Sequence, residues 1–233
     1  MKTKLNNLTK AAVAAALLAA ATAGSTWAAV LPAQSHALGK TYAEWNVAWW
    51  QWFLGQPMLS AGGATHPGVD DPRFDITSGQ SGQVWFLAAP FPGTFVRSGT
   101  IPTGTALFIE SLTSEWSSLE GFATEHDQRA EATLWANHIV NPSFTIDGVP
   151  VKNINLYRVA TPQFPFTAPS PWIFGDTGGN GMSVAEGYCF LVTPLPVGKH
   201  VLHYSGSFHF AVAEGDDFDL DAPMDMTYNI TVQ

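Results

Sequence analysis

Glu214-Gly-Asp-Asp-Phe-Asp-Leu-Asp221 carries three aspartates at alternate positions, Asp217, Asp219 and Asp221. A curved loop can turn such a run onto one hard cation, and calcium accepts six to eight oxygens. The run is not an EF-hand, because its sixth position is not glycine and its twelfth is Tyr228 rather than Glu. A solvated acidic loop between two strands is the preferred reading; calcium at Asp217, Asp219 and Asp221 is the one cofactor the sequence leaves open. His200, His203 and His209 raise the question of zinc. On a continuous strand His203 and His209 share a face but stand about 20 Å apart, too far for one ion, and His200 faces the other way. Glu110, with Glu115 or Glu120 beyond it, offers a carboxyl pair for glycoside hydrolysis. That chemistry needs about 5 to 9 Å between the two groups, a distance that chain spacing does not set. No Gly-x-Ser-x-Gly elbow and no H-E-x-x-H helix is present. No residue is therefore assigned a catalytic role, and a non-enzymatic protein is favoured. Cys189 is the single cysteine, which excludes an intramolecular disulfide. Its setting, Tyr188-Cys-Phe-Leu-Val192, is that of a buried, inert thiol.

The elements that must position these groups are mainly strands. Val84 to Ala89 and Ala106 to Ile109 are short apolar runs without alternation, so both faces of these strands should be covered. Phe144-Thr-Ile146 and Val149-Pro-Val151 flank Asp147-Gly148, a two-residue hairpin turn in which glycine supplies positive φ. Asn155 to Val159 and Gln163 to Ala168 read as short strands, and Tyr188 to Val192 and His200 to Ser205 as a hairpin around Pro-Leu-Pro-Val-Gly. Met224, Met226, Tyr228, Ile230 and Val232 alternate with polar residues, the period of a strand with one dry face. Gly178-Gly-Asn-Gly181 lacks the context of a phosphate loop and reads as flexible. Two helices are expected. The first spans about 41–54 and opens on the capping box Thr41-Tyr-Ala-Glu44. Its aromatic stripe is Tyr42, Trp45, Ala48, Trp49, Trp52 and Phe53, and Gly55 and Pro57 end it. The second spans about 125–137 within a polar stretch that begins at Ser111. Residues 56–82, rich in Gly, Pro, Ser and Asp, read as a long ordered loop. The sum is a mainly β chain, an antiparallel β-sandwich of jelly-roll or immunoglobulin-like type decorated by two helices.

Residues 1–28 have the three parts of a secretory signal peptide. Lys2, Lys4 and Lys10 form a basic head, Ala11 to Ala23 a short apolar body, and small residues a cleavage region ending at Ala28. The body is too short to span a bilayer, which takes about 20 residues. The expectation is an exported protein, periplasmic or extracellular, whose residues 29–233 form one domain. That domain carries seven basic and nineteen acidic residues, a net charge of −12. Such a balance argues against nucleic acid and anionic headgroups, whose capture depends on Lys and Arg. The aromatic stripe is better placed in a core than at a membrane, because its polar face, with Glu44, Asn46 and Gln51, lacks the basic residues of interfacial helices. Trp50 lies off the stripe, and Trp116 and Trp172 fall in loop-like sequence; these three are the candidates for a sugar-stacking platform.

Tyr42-Ala-Glu-Trp45 running on to Trp49-Trp-Gln-Trp52, Gly79-Gln-Ser-Gly-Gln-Val-Trp-Phe-Leu87 and Ile101-Pro-Thr-Gly104 together resemble a family of uncharacterised secreted bacterial proteins. Asp147-Gly-Val-Pro-Val151 and Pro196-Val-Gly-Lys-His200 extend the likeness over nearly the whole of 29–233. The resemblance implies an N-terminal Trp-rich helix on a β-sandwich-like body and no established activity. Members of that family often carry cysteines near the positions of Ile76 and Gly99, and this chain has neither. The function expected is a secreted, non-enzymatic module that binds a neutral ligand or a carbohydrate or protein partner, or is structural. The alternative is a polysaccharide-directed hydrolase with a carboxylate pair.

Overall fold

The structure is a computed structural model that describes residues 29–233; the signal peptide expected over 1–28 lies outside the described residues. Two five-stranded sheets pack face to face. The first has the order β3 (Val84–Leu87), β5 (Ala106–Ser117), β10 (Gly179–Val192), β8 (Arg158–Ala160), with β9 (Phe164–Ala168) also paired to β10. The second runs β4 (Gly93–Ile101), β12 (Leu220–Val232), β11 (Gly198–Phe210), β6 (Ile139–Ile146), β7 (Val149–Pro150). A small ribbon of β1 (His36–Ala37) and β2 (Lys40–Thr41) precedes the first helix. The sandwich is mixed rather than wholly antiparallel, since β3 runs parallel to β5 and β4 parallel to β12.

One continuous apolar core joins the layers. Along β12 the alternation seen in the sequence becomes burial: Met224, Met226, Tyr228, Ile230 and Val232 are inside, while Asn229 faces water. Phe144 of β6 stacks on Phe190 of β10 at 4.5 Å, across the two sheets. The Asp147-Gly148 turn has positive φ at both residues, the geometry that a two-residue hairpin loop requires. Several strands are longer than their apolar runs. Gly178 to Gly181, read as flexible, mostly enters β10, and of Asn155 to Val159, read as strand, the first three residues belong to a 3-10 turn (Ile154–Tyr157) and only the last two to β8.

Among the described residues there are two α-helices, α1 (Tyr42–Gly55) and α2 (Glu125–Asn137). Both reciprocal bonds of the α1 capping box are made: Glu44 N–H donates to Thr41 Oγ1, and Thr41 N–H donates to Glu44 Oε2 at 2.7 Å. Two aromatic side chains fix α1 to the first sheet. Tyr42 OH accepts from Leu191 N–H at 3.1 Å, and Trp49 Nε1–H donates to Leu87 O at 2.9 Å. Burial extends beyond the expected stripe. Trp50 and Leu54 are buried with Trp49 and Phe53, whereas Trp45 and Trp52 are half-buried and donate their ring N–H to Ala37 O and Gly79 O. A stripe so engaged is core, and among the described residues no helix is long and apolar enough to cross a membrane.

Candidate functional site

β5 is the strand on which the site depends. Its polar half, Ser111 to Ser117, lies inside a stretch that reads from sequence as non-strand, yet it pairs with β10 along its length. Between Leu112↔Tyr188 and Glu110↔Cys189 the register slips by one residue, leaving Ser111 as the extra residue of a β-bulge. Five positions separate Glu110 from Glu115, so regular alternation would send them to opposite faces. The bulge reverses the parity and puts them on one side. Gly187 opposite Thr113 permits this, because a Cβ there would collide with the backbone of Leu112 and Thr113. On the other edge of β5, β3 pairs only with Ala106 to Ile109. From Glu110 onward that edge has no strand partner among the described residues.

A cavity of about 460 Å³ opens at this point. Trp49, Trp50 and Phe53 of α1 form one wall, and Tyr204, Phe208 and Met224 of the second sheet another. Trp116 and Trp135 close a third side with ring centroids 5.9 Å apart, and the exposed rings of Phe91 and Phe174 stand among its lining residues. Gly68 completes the wall beside α1. It is glycine because a Cβ would lie 2.8 Å from Phe53 Cζ. Two buried polar residues hold its loop. Arg97 donates from Nη1 to Pro67 O and Ala88 O and from Nη2 to Val69 O, with its guanidinium 3.7 Å from the Phe74 ring centroid. Gly68 N–H donates to His66 Nδ1 at 2.9 Å, which leaves His66 Nε2–H to donate to Phe53 O at 2.9 Å. Burial, with the Arg97 charge nearby, pulls the His66 pKa down to about 4.

Three carboxyls line this cavity: Glu110, Glu115 and Glu120. Glu110 is 3% exposed and neither of its oxygens has a protein hydrogen-bond partner. Burial pushes it well above the usual carboxylate range. Glu115 Oε1 accepts from Ser183 Oγ, Oε2 meets no N–H or hydroxyl donor, and the Glu120 carboxyl stands within hydrogen-bonding reach of the Glu115 carboxyl. Burial and the neighbouring Glu120 carboxylate raise Glu115 well above its ordinary value. Glu120 accepts from Ser117 Oγ at 2.6 Å and is itself raised, mainly by burial. Trp50 Nε1, Trp116 Nε1 and Tyr204 OH are also buried without protein partners. Of the nine such side-chain atoms among the described residues, six belong to five residues that line this one cavity. Buried polar groups are ordinarily paired, so their concentration here marks the cavity as a place prepared for polar contacts.

The other sequence candidates lie elsewhere. Asp217, Asp219 and Asp221 are exposed around the start of β12. Asp219 Oδ1 accepts from Val212 N–H at 2.8 Å, and Asp221 Oδ1 is 2.6 Å from His209 Nδ1. His200 pairs with Asp147 and His203 with Asp225, so each of the three histidines has its own aspartate. Among the described residues no three His, Cys, Asp or Glu side chains are placed to hold one metal ion. Cys189 is fully buried, and burial with Glu110 nearby drives its thiol pKa well up. Of the three platform tryptophans, Trp50 and Trp116 line the cavity, whereas Trp172 is buried in a bridge to Gly175. Ile76 occupies the space that a side chain on Gly99 would need.

Comparison with protein-family models, with curated proteins and with solved structures finds no match for this chain.

Proposed function

We propose that this protein is an exported ligand-binding module whose β5 cavity takes one compact small molecule. The observation that carries this reading is the gathering of unpartnered buried polar atoms on Glu110, Glu115, Trp50, Trp116 and Tyr204 around a single aromatic-walled space. Its volume of about 460 Å³ falls within the range of small-molecule sites, and its make-up, mostly apolar and rich in aromatic rings with a few polar groups, is theirs as well. In the free protein such groups turn to water, and a ligand that offers them hydrogen bonds takes the place of that water. The leader-like residues 1–28 support a site of action outside the cytoplasm.

A second reading is a hydrolase in which Glu110, kept protonated by burial, is the acid and the Glu115–Glu120 pair the base or nucleophile. The presence of all three carboxyls in one cavity favours it. Against it, all three are raised, whereas the second carboxyl of such a pair must be ionised to act. A crystallographic fragment screen tests binding, with fragments expected in the β5 cavity. Fragment density confined to other surfaces overturns the proposal. Release of nitrophenol from aryl glycosides, abolished by Glu110→Gln, would replace it with the hydrolase.

A further inference from the structure

Glu110, Glu115 and Glu120 line the cavity, and among the described residues no lysine, arginine or histidine does. We infer that the occupant is a protonated amine that also carries hydroxyl groups, an amino sugar or amino alcohol, with its ammonium on Glu110. This rests on the reading of the cavity as a small-molecule site, and it replaces the neutral ligand expected from composition with a cationic one.

The sign of the charge comes from the lining. An anion would enter a space walled by carboxyls with no counter-charge. A buried carboxylate without a cationic neighbour stays protonated, and a partner that brings both charge and donors removes that cost. Both unpartnered Glu110 oxygens accept, and an ammonium has three N–H donors to give them. The aromatic walls act in the same direction, because indole rings attract a cation and Trp49, Trp50, Trp116 and Trp135 all line the space.

The size of the cation comes from the volume of about 460 Å³, which accommodates a body several atoms across. Among the described residues no three acidic, His or Cys side chains are set to ligate one metal ion, so the protein offers no preformed cage for a bare divalent cation there. The hydroxyls come from the donors: the ring N–H groups of Trp50 and Trp116 have no acceptor in the fold, and a simple alkylamine would leave both unanswered. An amine bearing hydroxyls supplies acceptors for them and for Tyr204 OH.

The test is titration calorimetry at pH 7 with two matched pairs, glucosamine against glucose and ethanolamine against ethylene glycol. The protein is residues 29–233, wild type and Glu110→Gln. In at least one pair the amine should bind tenfold or more tightly than its neutral partner. Glu110→Gln should bring that ratio within twofold while the native tryptophan emission is retained. If Glu110→Gln does not fold, the wild-type ratio and Glu115→Gln carry the same test. Neutral members binding as well as the amines would overturn the cation and leave the binding site standing. Absence of binding by all four would overturn the amine, and fragments also missing from the β5 cavity would overturn the site itself. Loss of amine binding in millimolar CaCl2 at constant ionic strength would make this a metal site instead and overturn the inference.

Discussion

His66 gives the sharpest handle on how the cavity wall is held. Its neutral ring accepts from Gly68 N–H through Nδ1 and donates to Phe53 O through Nε2, which ties the 66–69 loop to the end of α1. Protonation would put a second donor opposite Gly68 N–H and a charge into a site only 1% exposed, already beside the Arg97 cation. The folded pKa of about 4 lies below the ordinary 6.5. The unfolded chain therefore binds this proton first, and stability present above pH 6.5 is lost as the pH falls toward 4. At about 1.4 kcal/mol per pH unit, the loss between pH 7 and pH 4 is about 3 kcal/mol. Glu110 and Glu115 work in the opposite direction. Their folded pKa values are raised, so their contribution is greatest in acid and declines as the pH rises. The two trends separate in a difference measurement: urea unfolding of wild type and His66→Gln at pH 7, 6, 5 and 4. The carboxyls contribute equally to both proteins and cancel, so the advantage of histidine over glutamine should shrink by about 3 kcal/mol across that range. A difference that does not change with pH would refute a buried neutral histidine at this position.

Trp49→Ala should lower stability by about 3–5 kcal/mol in urea unfolding, because it empties a core site and leaves Leu87 O without its donor; a loss below about 0.5 kcal/mol would place the ring outside the core. Cys189 should react with a thiol reagent only after denaturation, and labelling of the native protein within minutes would contradict its burial. Melting in EDTA and in millimolar calcium should give the same midpoint, since Asp219 and Asp221 already serve Val212 N–H and His209. A calcium-dependent rise of several degrees, lost in Asp219→Asn, would establish a metal loop there.

The parts of the fold that were legible in the sequence are those in which one local rule acts alone. The capping box, the Asp147-Gly148 turn and the alternation in β12 each depend on residues within a few positions of one another. Glu125–Asn137, flanked by breakers, is legible for the same reason. The β5 site is not. Ser111, Thr113, Ser114, Glu115 and Ser117 are polar residues in a buried strand, and hydrophobic patterning reads such a run as surface. Their burial is decided by α2, whose Ala132 O accepts from Ser114 Oγ and whose Trp135 packs on Trp116, and by α1 and the second sheet, which lie far off in sequence. The carboxyl pair could be named from sequence, but the bulge that aligns Glu110 with Glu115 is a matter of register against β10, whose only local trace is Gly187. Trp50 lies off the stripe by angle, yet it is buried, because α1 is covered on more than one face.

The place of β12 in the second sheet bears on the order of events as the chain folds. It is central, between β4 and β11, and it comes last among the strands in sequence. Met224 lies opposite Gly93, so the parallel half of that sheet closes only when segments about 130 positions apart have met. Until then β4 has no partner and β11 presents an unmated edge, so the second layer is only β11, β6 and β7 and covers the first in part. Pairings of this span make folding slow and leave the partly made sheet open to association with other copies. A nascent chain halted before Leu220 would therefore be a sticky intermediate and not a smaller stable protein, and a factor that holds the chain unfolded until β12 is available would act on the step where yield is decided.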